Sequence, residues 1–166
     1  MIFEVMSRQI AEQYSRRSDI DKTLMISISD MGSSCPNIHT SNPNILHVAF
    51  LRFDDVDVGD PHCITCNDAK HVIEIYERFK DLVDRIVVHC EAGVSRSAGV
   101  CAALMKIHDG DDMPIFSLSK YCPNMTCYRR VLEAYYGTYD EVEAQKKWDI
   151  NTYEFLKAED MLDEVN

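Results

Sequence analysis

The segment RIVVHCEAGVSRSAGVCAAL at 85–104 constrains the fold of this chain more than any other stretch. Residues 85–90 form a short apolar run of the kind found in buried strands. A tight turn follows, and the small, apolar residues from Ser95 to His108 then predict a buried helix. Strand, turn and helix in this order are typical of α/β proteins, in which the helix packs on a parallel sheet.

The rest of the chain repeats the alternation of strands and helices. A fold with strands first and helices dominating later is a three-layer α/β sandwich, with a central, largely parallel sheet flanked by helices. We predict a single domain over 1–166, in which 137–166 form an acidic C-terminal helical extension. The predicted strands are 2–6, 23–29, 45–53 and 85–90; the predicted helices are 7–13, 66–84, 95–108, 125–136 and 141–161, with 148–151 a candidate break in the last.

The charge and the cysteine content exclude several classes of function. The net charge of −11 has the wrong sign for a nucleic-acid binder or for docking on an anionic membrane. No apolar run approaches 18 residues, and the N-terminal residues lack the pattern of a secretory signal. We therefore expect a cytoplasmic protein without nucleic-acid or membrane partners, whose seven cysteines are reduced thiols.

The turn after the fourth strand has the composition of an anion-binding loop. Cys90 ends the strand, and Arg96 follows six positions later. Backbone N–H groups of the intervening residues can point inward around a phosphate, and Arg96 offers a planar fork for two of its oxygens. Gly93 permits the positive φ that such a tight loop requires. The predicted phosphate-binding residues are Glu91, Ala92, Gly93, Val94, Ser95 and Arg96.

The same geometry would activate Cys90 as a nucleophile. A helix N-terminus with a nearby cation lowers a cysteine pKa from about 8.5 to roughly 3.5–7.5. The hydroxyl of Ser97 is placed to stabilise the thiolate when it leaves phosphorus. The predicted chemistry is hydrolysis of phosphate monoesters, with phosphate, sulfate or vanadate as ligands of the loop.

The run His-Cys-x-Ala-Gly-x-Ser-Arg-Ser from His89 to Ser97 resembles the active-site loop of the cysteine-dependent tyrosine and dual-specificity phosphatases. The Pro-Asn pair ending at Asn124 is similar to the one that opens a late helix in that superfamily, and residues 51–55 resemble its short microbial and viral members. The resemblance implies a protein phosphatase without a cofactor, which acts on a phosphoprotein or phosphopeptide through a cysteinyl-phosphate. It also implies supporting roles for His89 and Asn124.

The resemblance further implies a general acid, an aspartate on a loop some 30 residues before the cysteine. The acidic loop offers Asp54, Asp55, Asp57 and Asp60. Asp55 fits the family pattern of an apolar residue, any residue and aspartate, 35 positions before Cys90. We predict Asp55 as the acid that protonates the leaving group, with Asp54 and Asp57 as alternatives and Asp60 after them.

Other functions remain open at this stage. The scaffold would also suit a phosphatase of RNA ends or small phosphometabolites, or a non-catalytic phosphate-binding module. His62, Cys63, Cys66 and His71 suggest zinc, but a structural site needs a second ligand pair. That pair is missing unless His71 and another loop histidine serve, so no metal is predicted. Glu91 and Val94 in the loop, together with the acidic charge, disfavour polyphosphorylated lipids. The short chain favours a shallow pocket open to phosphotyrosine, phosphoserine and phosphothreonine.

Overall fold

Four parallel strands form the centre of the computed structural model, which describes residues 1–163. They are β1 (Ile2–Ser7), β2 (Thr23–Ser29), β3 (Ile45–Arg52) and β4 (Arg85–Cys90), arranged in the order β1-β4-β2-β3. All three strand pairs are parallel. The carboxyl end of β4 therefore lies between the ends of β1 and β2, at the edge where α/β proteins bind ligands.

Six helices surround this sheet within the described part of the chain. They are α1 (Arg8–Tyr14), α2 (Cys66–Phe79), α3 (Arg96–Asp109), α4 (Met113–Phe116), α5 (Met125–Tyr136) and α6 (Glu141–Asp163). None of them combines the length and apolar content needed to cross a bilayer. The prediction of an α/β fold with a largely parallel sheet and flanking helices is confirmed.

Alternation along the strands explains why helices cover both faces of the sheet. Leu24, Ile26 and Ile28 of β2 point into the larger core, which includes residues of α2, α3 and α5. Met25 points to the opposite face, into a smaller core that includes residues of α1. Because both faces are covered, every residue of β2 is buried, including the polar Thr23, Ser27 and Ser29.

Two helix boundaries differ from the sequence prediction. Helix α2 ends at Phe79 rather than at 84, and Leu82, which belonged to the predicted helical face, is exposed in the turn before β4. Helix α6 continues through 148–151 without a break. Asn151 does not disturb it, because its buried side chain donates to the carbonyl oxygens of Phe116 and Tyr121 instead of competing for the backbone of its own helix. Residues 164–166 of the predicted C-terminal extension lie outside the described residues.

A buried ionic cluster attaches α6 to the body of the fold. Lys147 Nζ lies 2.5 and 2.6 Å from the two carboxylate oxygens of Asp112, at the start of α4. The hydroxyl of Tyr128 on α5 donates to the same carboxylate over 2.5 Å. Burial alone would lower the pKa of Lys147, but its hydrogen bonds to Asp112 and Glu143 raise it overall. The lysine therefore stays charged and joins three helices.

Removal of the lysine side chain should destabilise the fold strongly. In a Lys147→Ala variant the Asp112 carboxylate stays buried without its cation, which typically costs about 3–5 kcal/mol. The loss is measured as the change in the free energy of unfolding in urea. The control is Lys146→Ala at the neighbouring exposed position, expected to stay within about 0.5 kcal/mol of wild type. Equal losses in the two variants would contradict an anchoring role for the cluster.

Candidate active site

Residues 90–96, which we call the cysteine loop, connect the end of β4 to the start of α3. Cys90 is only 2% exposed. Gly93 lies in the left-handed region with φ +70°. A Cβ atom there would come within 2.5 Å of the Ser7 nitrogen and 2.6 Å of the Met6 carbonyl carbon. The loop therefore fits against the end of β1 only because residue 93 has no side chain.

The thiol of Cys90 lies against the first turn of α3. Its Sγ is 3.0 Å from the Oγ of Ser97, and both residues are buried. The N-terminus of a helix carries a partial positive charge and unpaired N–H groups, which favour an anion in the loop. The predicted nucleophile and the hydroxyl predicted to stabilise it are thus in direct contact.

The guanidinium of Arg96 is held from one side. Its Nη1 donates to the carbonyl oxygen of Phe53 over 2.8 Å and pairs with the Oδ1 of Asp30 at 2.5 Å. Its Nε is buried and has no hydrogen-bond partner among residues 1–163. Buried donors are normally paired, so a fixed guanidinium with an unpaired Nε is suited to bind an anion.

Asp55 is hydrogen-bonded to the cysteine loop. Its Oδ1 accepts from Ser95 Oγ at 2.8 Å and from Asn124 Nδ2 at 2.9 Å. The backbone nitrogen of Asn124 donates in turn to the Ser95 carbonyl oxygen, and its Oδ1 caps α5 by accepting from the Cys127 nitrogen. We call these three residues, Asp55, Ser95 and Asn124, the acid group. Their hydrogen bonds join three separate segments of the chain at one point.

The other three aspartates of the acidic loop have different surroundings. Asp54 accepts from the Met31 nitrogen and lies 3.1 Å from the Nδ1 of His62. Asp60 accepts from the backbone nitrogen of His62, and Asp57 is exposed. Of the four aspartates offered by the sequence, the described side-chain contacts connect only Asp55 to the cysteine loop.

Comparison with known proteins identifies the family of the chain. Residues 44–133 match the protein-tyrosine phosphatase family. The match covers 90 of the 166 residues and includes Asp55, the whole cysteine loop and Asn124. The chain belongs to the protein-tyrosine phosphatase family. The resemblance predicted from the cysteine loop is confirmed.

The individual relatives share little sequence identity with this chain. Dual specificity protein phosphatase 4 of Homo sapiens is 28% identical over 92 residues, which are 55% of this chain and 21% of that protein. Dual specificity protein phosphatase 1 of Mus musculus is 26% identical over 92 residues, 55% and 23% of the two chains. The chain thus spans about a fifth of the length of these curated relatives. The crystal structure of human DUSP28 is similar with a TM-score of 0.47 and 20% identity, covering 95% of this chain and 94% of that one.

Two residues of this family member that sequence reasoning missed hold the cysteine loop in place. Arg8 donates from its backbone to the Glu91 carbonyl oxygen at 3.1 Å and from Nη1 to the Glu91 carboxylate at 2.9 Å. Asp30 is the carboxylate that pairs with Arg96. Arg8 and Asp30 directly follow β1 and β2. Parallel strands end at a common edge of the sheet. The position of these two residues directly after a strand was therefore the sequence signal that could have placed them at the site.

The cysteines other than Cys90 are free thiols in different surroundings. Burial raises the pKa of Cys101 to about 12 and also raises that of Cys127, so these two thiols stay protonated in the core. Cys35, Cys66 and Cys122 are exposed. Within residues 1–163, no group of three His, Cys, Asp or Glu side chains is arranged to hold a metal ion.

His89 is a neutral histidine beneath the loop. It is fully buried, its Nδ1 lies 3.5 Å from the Cys90 carbonyl oxygen, and its Nε2 has no partner in the described part of the chain. Burial lowers the pKa of His89 below its ordinary value of 6.5. At lower pH, the unfolded chain therefore binds a proton that the folded chain does not, and acidification destabilises the fold.

A His89→Asn variant should lose this part of the pH dependence. In the wild type, His89 contributes a fall in unfolding free energy of up to about 1.4 kcal/mol per pH unit as the pH drops below 6.5. The variant has no group to protonate there, so its stability should fall less steeply. Urea denaturation at several pH values between about 7 and 5 measures the slope. The exposed His71→Asn serves as control; equal slopes in wild type and His89→Asn would contradict the burial effect.

Proposed function

We propose that the protein is a cysteine-dependent phosphatase that hydrolyses phosphoprotein monoesters through a cysteinyl-phosphate on Cys90. The observation that carries the proposal is the acid group. Through it, the Asp55 carboxyl group is hydrogen-bonded to the same loop that contains Cys90 and Arg96. Nucleophile, phosphate ligand and proton donor are thus supplied by one connected arrangement of side chains.

In the first step, the Cys90 thiolate attacks phosphorus of the bound monoester. The backbone N–H groups of the loop and the Nε of Arg96 bind the non-bridging oxygens. A sulfur–phosphorus bond forms while the bond to the leaving oxygen breaks. Asp55, in its protonated form, transfers a proton to that oxygen, so the product leaves as a neutral alcohol or phenol.

In the second step, water hydrolyses the cysteinyl-phosphate. Asp55, now a carboxylate, accepts a proton from the attacking water. The new oxygen–phosphorus bond forms as the sulfur–phosphorus bond breaks, and inorganic phosphate is released. Cys90 leaves as a thiolate, and the hydroxyl of Ser97, 3.0 Å from its sulfur, donates a hydrogen bond to it. The cycle returns the protein to its starting state without a metal or cofactor.

The substrate class is proposed from the family and from the loop. The relatives compared above are dual specificity protein phosphatases. Ala92 and Val94 are exposed on the cysteine loop, and Glu91 directs its carboxylate to Arg8. Such a loop adds no lysine for a second phosphate. We therefore favour phosphotyrosine, phosphoserine and phosphothreonine in proteins, in a cytoplasmic setting that keeps the thiol reduced.

A Cys90→Ser variant should lose turnover and retain binding of inorganic phosphate. The loop N–H groups and Arg96 remain, whereas the serine hydroxyl is a far weaker nucleophile than a thiolate. Aryl phosphate hydrolysis measures turnover, and calorimetry measures phosphate binding. The control is Cys66→Ser at an exposed thiol, and a chelator should leave wild-type turnover unchanged. Hydrolysis by Cys90→Ser at near the wild-type rate, or loss of wild-type activity with the chelator, would refute the mechanism.

An Asp55→Asn variant should be impaired most with poor leaving groups. The tyrosine phenol, with a pKa near 10, needs a proton as its bond to phosphorus breaks. General acid catalysis is worth roughly 10²–10⁴-fold, so phosphotyrosine peptide hydrolysis should slow by at least ~10²-fold. The loss should shrink steadily as the leaving-group pKa falls along a series of aryl phosphates, which are assayed by single-turnover kinetics.

The matched controls for this prediction are Asp54→Asn and Asp60→Asn. Both residues belong to the same loop, but their hydrogen bonds connect them to Met31 and His62 instead of the cysteine loop. Neither variant should show a loss that depends on the leaving group. If Asp54→Asn or Asp57→Asn shows that dependence and Asp55→Asn does not, the acid is assigned to the wrong residue.

A further inference from the structure

A cleft of about 580 Å³ opens beside the acid group. Its walls are the acidic loop at 55–58, the start of α5 and the side of α6. Asp55 and Ser95 line the cleft and are also members of the acid group. A polypeptide whose phosphorylated side chain enters the cysteine loop therefore passes close to this cleft.

The α6 wall supplies an aromatic surface. Ala144, Gln145 and Trp148 contribute to the lining, and Trp148 is the single tryptophan of the chain. Val56, Val58 and Met125 add apolar surface from the other two walls. The indole is the side chain that binds a cation over its face most strongly, and the apolar surface suits the methylene chain of a lysine or arginine.

The charges around the cleft favour a cation over an anion. Arg129 lines it, but its Nε and Nη1 pair with Glu133 and Glu141 at 2.8 and 2.6 Å, and its guanidinium lies 5.0 Å from the Tyr139 ring centre. Its charge is thus matched by two carboxylates. The exposed Asp57 side chain, in contrast, has no hydrogen bond or ion pair with any of residues 1–163.

We propose that this cleft is a substrate subsite that binds a lysine or arginine side chain close to the phosphorylated residue. The proposal rests on the proposed function and adds the sequence context that the enzyme selects. The cation would contact the Trp148 indole and the Asp57 carboxylate, while acidic neighbours would be repelled by Asp57. The net charge of −11 adds a long-range attraction for basic substrates.

The experiment compares two phosphotyrosine peptides that differ only in the residues flanking the phosphotyrosine. One carries arginines there, and the other carries glutamates. The wild type should favour the arginine peptide in kcat/KM by at least tenfold. The measured quantity is the ratio between the two peptides for the same protein, so a general change in catalytic rate cancels.

Variants of the cleft should reduce this ratio. Asp57→Asn and Trp148→Ala should each lower it severalfold, and Asp57→Lys should reverse it in favour of the glutamate peptide. The matched control is Glu159→Gln, which removes one negative charge from an exposed position of α6 three turns beyond Trp148. Its ratio should stay close to that of the wild type, because Glu159 lies outside the cleft. Since both variants lose one negative charge, any effect of net charge is the same in Glu159→Gln and Asp57→Asn.

Binding is measured separately in a Cys90→Ser background. The arginine peptide should change the emission of Trp148, which is the protein's only indole, at lower concentration than the glutamate peptide. This readout detects the peptide at the cleft without any turnover. The folding of each variant is checked by circular dichroism, because Trp148→Ala has no indole emission. If that variant fails to fold, Asp57→Asn decides the proposal alone.

The outcomes separate the subsite from the proposed function. If the wild type hydrolyses both peptides with kcat/KM values within twofold of each other, the subsite is overturned and the phosphatase proposal stays intact. A ratio that falls equally in Glu159→Gln and Asp57→Asn also overturns it, since net charge alone would then explain the preference. A protein that hydrolyses neither the peptides nor aryl phosphate overturns both proposals.

Discussion

The contact between Gly93 and the end of β1 is the constraint on which the rest of the site depends. Without a Cβ atom at residue 93, the cysteine loop can lie against the backbone of Met6 and Ser7. Because β1 and β4 are parallel neighbours, this contact turns the chain sharply from the end of β4 into α3. Arg8 then closes the other side of the loop through its two hydrogen bonds to Glu91. The position of the thiol is therefore set by backbone packing.

The acid group connects the cysteine loop to two other segments of the molecule. Asp55 comes from the segment after β3, Ser95 from the loop and Asn124 from the start of α5. A movement of any one of these segments would change the position of the carboxyl group relative to the sulfur. The site is consequently built from the ends of strands and helices and from the loops between them. The buried sheet beneath provides the rigidity that such positioning needs.

The sequence predicts well the features that depend on local pattern. The strand–turn–helix at 85–104, the glycine at 93 and the capping Asn124 are each specified by neighbouring residues, and the parallel sheet follows from the alternation of elements. Asp30 and Arg8 could not be assigned, because their partners lie 66 and 83 positions away in the chain, and only the strand order brings them together. The continuity of α6 at Asn151 was likewise hidden, since it depends on carbonyl groups of a distant turn.

The Lys147–Asp112–Tyr128 cluster has a consequence for evolution within this architecture. It fastens α6, and α6 supplies one wall of the cleft beside the acid group, whereas the cysteine loop rests on the sheet. The proposed subsite and the cysteine loop thus rest on different contacts. Under the two proposals, exchange of the outward residues of α6 during evolution would alter the preferred substrates and leave the residues at the strand edge unchanged. Loosening of the cluster by mutation would instead weaken the fold together with the cleft wall, because Asp112 and Tyr128 belong to the neighbouring helical elements.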